Sequence, residues 1–388
     1  MHASYFLSVA LFILAFSSAS AAEGWSLKAP GKAVKVTGKL LDPLNVSGAA
    51  SVKEGAFIIA CDELRHGVQG AHMDLGAGEI TVTGLEFPLL EGNKKELDLE
   101  SAAADPGHHR YYTCGSCGVK RKSGETAPDR QWLFRMETDP KTGALMPGKV
   151  TKVSLKDAMN ADAFLHEHMD KSSADLGLDV EGLAFKDGRL WFGLRSPNVN
   201  GWGFVVAASA DDLMAGKPVV FQRFELPLGE DLGIRDMAAV ADGFLLVTGP
   251  AGGEEGTKAA PAPTPTAAVQ EETETVARAV PAQETVAKAV PAAKIEVNKP
   301  AAAAPSASKN EAYALYFWAG DTNKPVRIGG LPRPNQGKGK PEGLLVVSET
   351  RENLGVIVFS DGAENGAPML YDVSRPLRQE GPVLRNSK

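Results

Sequence analysis

The sequence has no excess of positive charge, few cysteines and no long apolar run beyond its first residues. Each shortage removes a class of function. Over 388 residues the formal net charge is -7. An acidic chain without a basic face cannot neutralise a phosphate backbone, so a nucleic-acid partner is excluded and plain solubility is favoured. After the N-terminal stretch no segment offers the roughly 20 apolar residues that a membrane-spanning helix needs. Signature loops of several enzyme classes are missing as well. There is no Gly-x-Ser-x-Gly, which speaks against an α/β-hydrolase. Gly337-Lys338-Gly339-Lys340 lacks the spacing and the Ser/Thr of a phosphate-binding P-loop.

The three cysteines are Cys61, Cys114 and Cys117. Cys114-Gly115-Ser116-Cys117 has redox spacing, but it follows a strand instead of opening a helix, so nothing there lowers a thiolate pKa. Zinc would need a second such pair, and none is present. A structural disulfide or buried free thiols are the expectation. Their pairing is left open by the odd count.

What is present begins with a leader. Phe6 to Phe16 is an apolar run of signal-peptide length, and Ala19-Ser20-Ala21 offers small residues for cleavage. Residues 1–22 are therefore expected to be a signal peptide, and the protein to be exported, periplasmic or secreted. Residues 23–388 are expected to form one domain, interrupted at 251–310 by an Ala/Pro-rich segment without aromatics. There Glu274-Thr275-Val276-Ala277-Arg278-Ala279-Val280-Pro281 recurs as Glu284 to Pro291. Such a composition cannot bury enough apolar surface to offset chain entropy, so it is expected to be a disordered loop. The strands Phe244–Val247 and Tyr313–Trp318 on either side are expected to be hairpin partners, with the insertion replacing their turn.

One pattern recurs five times. It reads Asp179-Val180-Glu181-Gly182-Leu183-Ala184, a turn at Asp187-Gly188, then the strand Leu190 to Gly193. Related copies start at Asn45, Asp98, Ile234 and Pro341. Copies spaced by about 50 residues, each a set of short strands, are the signature of a β-propeller. The fold class is therefore all-β: a propeller of five blades, or of six if a degenerate blade lies between Glu100 and Glu181. The strand near Ala33 to Thr37 is expected to close the ring beside C-terminal segments. Helical periodicity is confined to Leu155 to Met169, with Ser154 as a cap.

Several of these segments resemble a known family. Ser47-Gly48-Ala49-Ala50, Asp98-Leu99-Glu100-Ser101-Ala102, Tyr112-Thr113-Cys114-Gly115-Ser116 and Val180-Glu181-Gly182-Leu183 come first. Phe192 to Pro197, Leu232-Gly233-Ile234-Arg235-Asp236 and Lys340-Pro341-Glu342-Gly343 follow. Together they resemble the bacterial domain of unknown function 3616. The likeness covers nearly all of the ordered chain but transfers no activity. Two departures are the insertion after Pro250 and Cys117, which stands where a His is expected. More distantly the repeat is similar to esterase-like phytase and calcium-dependent lactonase propellers, whose acidic ligands line the channel. That likeness is one of architecture.

In a propeller the residue that starts each inner strand lies at one mouth of the central channel. Glu100, Glu181, Asp236 and Glu342 are expected there, with Asp98 and Asp179 two residues before the first two. Clustered carboxylates need a cation, protons or basic partners. One reading makes the four ligands for Ca²⁺ or Mg²⁺, serving a hydrolase of an ester or phosphoester. The other makes them fasteners between blades, with Arg195, Arg235 and Lys340 balancing their charge. Arg195 and Arg235 are in turn candidates for an anionic ligand. His166 and His168 fall on different faces of a helix and do not suit a shared metal. His108-His109 sits in a turn. The functional expectation is a binding module for a small molecule, glycan or protein at the channel mouth, with the metal-assisted hydrolase as alternative.

Overall fold

The computed structural model describes residues 24–120, 123–252, 313–322 and 324–376. The expected signal peptide lies outside the described residues, as does nearly all of the Ala/Pro-rich segment. The strands flanking that segment are described. The second blade strand (Gly243–Pro250) and the third (Ala314–Trp318) pair antiparallel, from Phe244 opposite Trp318 to Thr248 opposite Ala314. They are neighbours in one sheet, as the sequence implies.

Among the described residues twenty-one strands make five sheets. In chain order, β1 (Ser26–Ala33) precedes blade 1, which holds β2 (Lys35–Gly38), β3 (Val46–Lys53), β4 (Ala56–Cys61), β5 (Gly67–Asp74) and β6 (Glu79–Pro88). Blade 2 holds β7 (Leu99–Asp105), β8 (Arg110–Gly115), β9 (Trp132–Thr138) and β10 (Leu145–Ser154). Blade 3 holds β11 (Asp179–Lys186), β12 (Arg189–Val199), β13 (Trp202–Ser209) and β14 (Gln222–Pro227). Blade 4 holds β15 (Leu232–Val240), β16 (Gly243–Pro250), β17 (Ala314–Trp318) and β18 (Val326–Gly330). Blade 5 holds β19 (Lys340–Glu349), β20 (Asn353–Asp361) and β21 (Met369–Ser374). The innermost strands β3, β7, β11, β15 and β19 pack side by side in that order, and β19 returns to β3. This is a five-bladed propeller. The interval between Glu100 and Glu181 holds the rest of blade 2 and two short helices, so there is no sixth sheet among the described residues.

The second strand of each blade is buried on both faces, which is why it reads as an unbroken apolar run. Phe57-Ile58-Ile59-Ala60, Phe244-Leu245-Leu246-Val247 and Val356-Ile357-Val358-Phe359 are examples. Alternate residues of each run enter the layers on either side. Ile58 joins Leu99 and Phe134 between blades 1 and 2, while Phe57 and Ile59 join Leu345 and Phe359 between blades 1 and 5. Each adjacent pair of blades shares one such layer. The ring is held by burial in five interchangeable seams rather than in one central core.

Closure differs slightly from the expectation. The strand that completes blade 5 is β1, with Ser26 opposite Ser374 and Ala33 opposite Met369. The strand expected to close the ring, β2, runs on instead and adds parallel to β6 at the outer edge of blade 1. One N-terminal segment thus ties the last blade to the first and leaves β21 without an open edge. The helical stretch splits into α1 (Leu155–Asn160) and α2 (Ala163–His168). The Ser154 hydroxyl accepts from the Asp157 N–H, and the Asp162 carboxylate caps the second helix through Phe164 and Leu165.

Candidate functional site

Every inner strand carries a β-bulge at the same level. Val46 pairs with Cys61 and Gly48 with Ala60, which leaves Ser47 as the extra residue. Leu99 and Ser101 flank Glu100 in the same way, Val180 and Gly182 flank Glu181, and Ile234 and Asp236 flank Arg235. In β19 the register shifts between Pro341 and Leu344, around Glu342. A bulge re-aims the side chain of its extra residue. The ring at the start of the inner strands is therefore Ser47, Glu100, Glu181, Arg235 and Glu342.

This corrects one element of the repeat. Asp236 is not the counterpart of Glu181; Arg235 is, and Asp236 stands one residue later, where Gly48 and Gly182 stand in blades 1 and 3. The apolar residues three apart carry the true register: Val180 and Leu183 against Ile234 and Met237. Gly48 needs to be small there, since a β-carbon on it would lie 2.6 Å from the Ser101 Cα of blade 2.

Arg235 does the work of a keystone. Its Nε lies 3.0 Å from Glu181 Oε2 of blade 3, a charge contact without hydrogen-bond alignment, and its Nη2 pairs with Glu342 Oε1 of blade 5. Glu181 is met from the other side by Arg195, whose Nη1 donates to Oε1 at 2.7 Å and lies 3.6 Å from Asp179. Arg195 also donates from Nε to the Pro250 carbonyl of blade 4 at 3.2 Å. Burial alone would weaken the Arg195 cation, but Glu181 and Asp179 outweigh it and hold its pKa above the usual arginine range. Asp98 pairs with Arg130 at 2.9 Å and accepts from the Ser116 hydroxyl. Asp179 accepts from Ser173 at 2.9 Å.

Asp236 is fully buried, with no exposed area. Its Oδ1 accepts from its neighbour Met237 N–H at 2.8 Å and its Oδ2 from Leu344 N–H of blade 5 at 2.7 Å. The Leu183 N–H of blade 3 bonds it as well. Those three N–H groups sit two residues past the bulge in three consecutive blades, on strand edges that have no further strand to pair with. One carboxylate serves all three edges and bridges them. Burial pushes its carboxyl upward, and the N–H bonds oppose that push.

Glu100 differs from its counterparts. It is buried, yet among the described residues no cation or hydrogen-bond donor reaches its side chain. Burial and then the neighbouring Asp98, Glu181, Asp62 and Asp179 push its carboxyl well above the usual range. Asp62, beside the same mouth, is pushed up to about 8 by burial and by Asp361 and Asp98. Neither Asp62 nor Arg130 was nominated from the sequence: Asp62 lies outside the repeated five residues, and Arg130 arrives from a single 3-10 turn, Pro128–Arg130.

The four carboxylates proposed as metal ligands do not form a ligand set. Arg235 occupies Glu181 and Glu342, backbone N–H groups occupy Asp236, and Glu100 stands apart. Among the described residues no group of three or more His, Cys, Asp or Glu side chains is arranged to hold a metal ion. The histidines follow the sequence reading: His166 bonds Asn160 at 2.8 Å, and His168 bonds the Leu176 carbonyl at 2.6 Å. His108 pairs with Asp105 at 2.7 Å. The three thiols are free and buried, and burial pushes Cys114 up to about 12, which suits no redox thiolate.

A cavity of about 630 Å³ lies toward the other end of the inner strands. Its deepest lining is the level of Ala49, Ala102, Leu183, Met237 and Leu344, and none of the ring residues lines it. Its walls are mainly Ala, Val and Leu side chains with Ser51 and Ser348 among them, and Lys53, Glu54, Lys186 and Glu349 also line it. A second cavity of about 340 Å³ lies between blades 1 and 5 and shares Ser51, Glu54, Leu75, Leu345 and Val347 with the first.

Comparison with known proteins agrees with the resemblance seen in the sequence. Residues 130–260 match the model of a family described as protein of unknown function (DUF3616). No curated protein sequence matches. Similar solved structures include a GH43 β-1,3-galactosidase with galactodeoxynojirimycin, at 9% identity over 89% of this chain and 94% of that one, TM-score 0.43. Another GH43 β-1,3-galactosidase matches at 8% identity and TM-score 0.42, with 89% of this chain spanning 59% of that one. A GH43 endo-arabinanase from Bacillus licheniformis matches at 10% identity over 88% of this chain and 96% of that one, TM-score 0.38. At such values the likeness carries no argument about chemistry, and the architecture rests on the strand pairing itself.

Proposed function

We propose that this chain is a ligand-binding propeller whose site is the apolar end of the central channel, and that its charged end is a fastening. The observation that carries the reading is the division of the channel at Asp236. On one side the arginines and most acids satisfy one another across blades. On the other lies an open cavity of about 630 Å³, within the roughly 300–1,000 Å³ that small-molecule sites occupy. A small molecule is the partner class that such a volume suits best, ahead of a glycan or protein. The leader at residues 1–22 supports an exported protein, periplasmic or secreted. No helix among the described residues is long and apolar enough to cross a membrane.

The hydrolytic alternative has one observation in its favour. Burial and the neighbouring acids push the Glu100 carboxyl well above its usual range, and Asp98 beside it pairs with Arg130. A buried carboxyl whose proton affinity is raised is the kind of group that a general acid needs. That reading uses no metal, because three of the four residues nominated for one are engaged by Arg235 or by backbone N–H groups.

The test is a thermal-shift screen of small molecules against the wild type and Ala239→Trp, which fills the cavity wall at a half-buried position. A ligand at 100 times its Kd stabilises the folded state by about 2.7 kcal/mol. The binding reading expects hits whose shift disappears in the filled variant. Hits that persist unchanged there, or that disappear only in Glu100→Gln, would move the site to the charged end.

A further inference from the structure

The two cavities adjoin along five shared lining residues, and the acids of the smaller one select a sign of charge. The smaller cavity is a groove between blades 1 and 5, and Leu75 lines both it and the channel cavity. Leu75 is the apolar residue of the turn joining β5 to β6, where its neighbours are Asp74, Gly76 and Ala77. The turn is fixed by Asp74, whose Oδ1 accepts from the Ala77 N–H at 2.9 Å. That bond holds Leu75 over the junction, where it borders both spaces.

The groove has apolar walls from Phe57, Met73, Leu345 and Val347. Its titratable residues are Glu54, Asp74 and His72, so its acids outnumber its one basic side chain, and no Lys or Arg among the described residues lines it. The two lysines that line the channel cavity are turned onto the next blade. Lys53 Nζ donates to the Lys141 carbonyl at 2.6 Å, and Lys186 Nζ donates to Val240 and Ala241 at 2.7 and 3.0 Å. Glu349 is engaged by Arg375 and by the Ala241 N–H. Glu54 has no such partner among the described residues, and it is shared by both cavities.

We infer that the cleft takes an organic cation: an elongated ligand with an apolar body in the channel and a protonated amine in the groove, met by Glu54 and Asp74. The inference rests on the channel-end reading and adds its ligand class. Apolar walls supply affinity in proportion to buried area, while an unpaired carboxylate rejects an anionic end group and favours a cationic one.

Three probes with one apolar body test it: 4-phenylbutylamine, 4-phenylbutanol and 4-phenylbutyrate, titrated by calorimetry into wild type, Glu54→Gln and Ala239→Trp. The expected result is tightest binding of the amine, weaker binding of the alcohol and least of the carboxylate. Glu54→Gln should weaken the amine about tenfold, the loss of one charge-assisted contact, and leave the alcohol unchanged. Equal affinity for all three, with loss in Ala239→Trp, would overturn the charge preference while keeping the channel site. Amine binding that Ala239→Trp leaves intact would overturn both. An amine affinity unchanged by Glu54→Gln would overturn the assignment of the groove.

Discussion

Asp236 in the fourth blade accepts the backbone N–H of Leu344 in the fifth at 2.7 Å, across the inner edges of two strands that share no ladder. An innermost strand has a partner on one side only, so its other row of N–H groups must find something else or meet water. The carboxylate answers for three blades at once. Asp236→Ala should orphan these donors and cost roughly 3 kcal/mol, at about 1–3 kcal/mol for each buried group left unmade. Asp236→Asn keeps an acceptor oxygen and should cost less. Chemical denaturation of both variants checks the order; an Ala variant as stable as the Asn variant would remove Asp236 from the fastening.

Arg235 joins Glu181 and Glu342 of the blades on either side. Arg235→Met should destabilise by about 3–5 kcal/mol, because two buried carboxylates lose a counter-charge. Adding Glu342→Gln to Arg235→Met should restore part of that loss. The readout is a double-mutant cycle in denaturant, and strict additivity of the two changes would contradict the contact.

Glu100 gives the pH dependence. Its carboxyl is pushed above the usual glutamate value of 4.5, by burial first and then by the acids around it. The folded state therefore keeps a proton that the unfolded chain releases, and stability falls as pH rises above about 4.5. Asp62, raised from 3.8 to about 8, acts in the same direction over that window. Glu100→Gln stays neutral throughout. It should match the wild type near pH 4.5, melt higher at pH 8 and show a shallower slope between. A variant that melts lower than wild type at pH 8 would mean that the carboxylate form is the one the fold uses.

The propeller was legible because each inner strand repeats the same demand: an apolar residue, the bulged one, a small one, another apolar one. Val180 to Leu183 and Leu99 to Ala102 show it plainly. Matching the copies by acid identity misplaced Asp236, whereas matching Val180 with Ile234 and Leu183 with Met237 places Arg235 in the ring. The open cavity left no such trace. Its walls are alanines, leucines and strand edges, residue types that every blade uses for packing, and only closure of the ring turns them into a space. Arg130 was equally hidden, since an arginine in a three-residue helical turn has no periodicity to announce it.

Divalent metal should leave the melting temperature unchanged. With Arg235 on Glu181 and Glu342 and backbone N–H groups on Asp236, Ca²⁺ or Mg²⁺ finds no set of free oxygens at the charged end. Calorimetric melting in EDTA, then with each ion, checks this. A rise with metal that Glu181→Gln/Glu342→Gln abolishes would restore these residues as ligands and displace the arginine pairing.

The most direct measurement of the whole account is the Kd of one cleft ligand, 4-phenylbutylamine, for wild type, Ala239→Trp and Glu181→Gln. A channel divided at Asp236 predicts that Ala239→Trp abolishes binding while Glu181→Gln lowers stability and leaves the Kd as it was. Binding that survives Ala239→Trp and fails in folded Glu181→Gln would place the site among the arginines and acids, and the division of the channel into lock and pocket would be wrong.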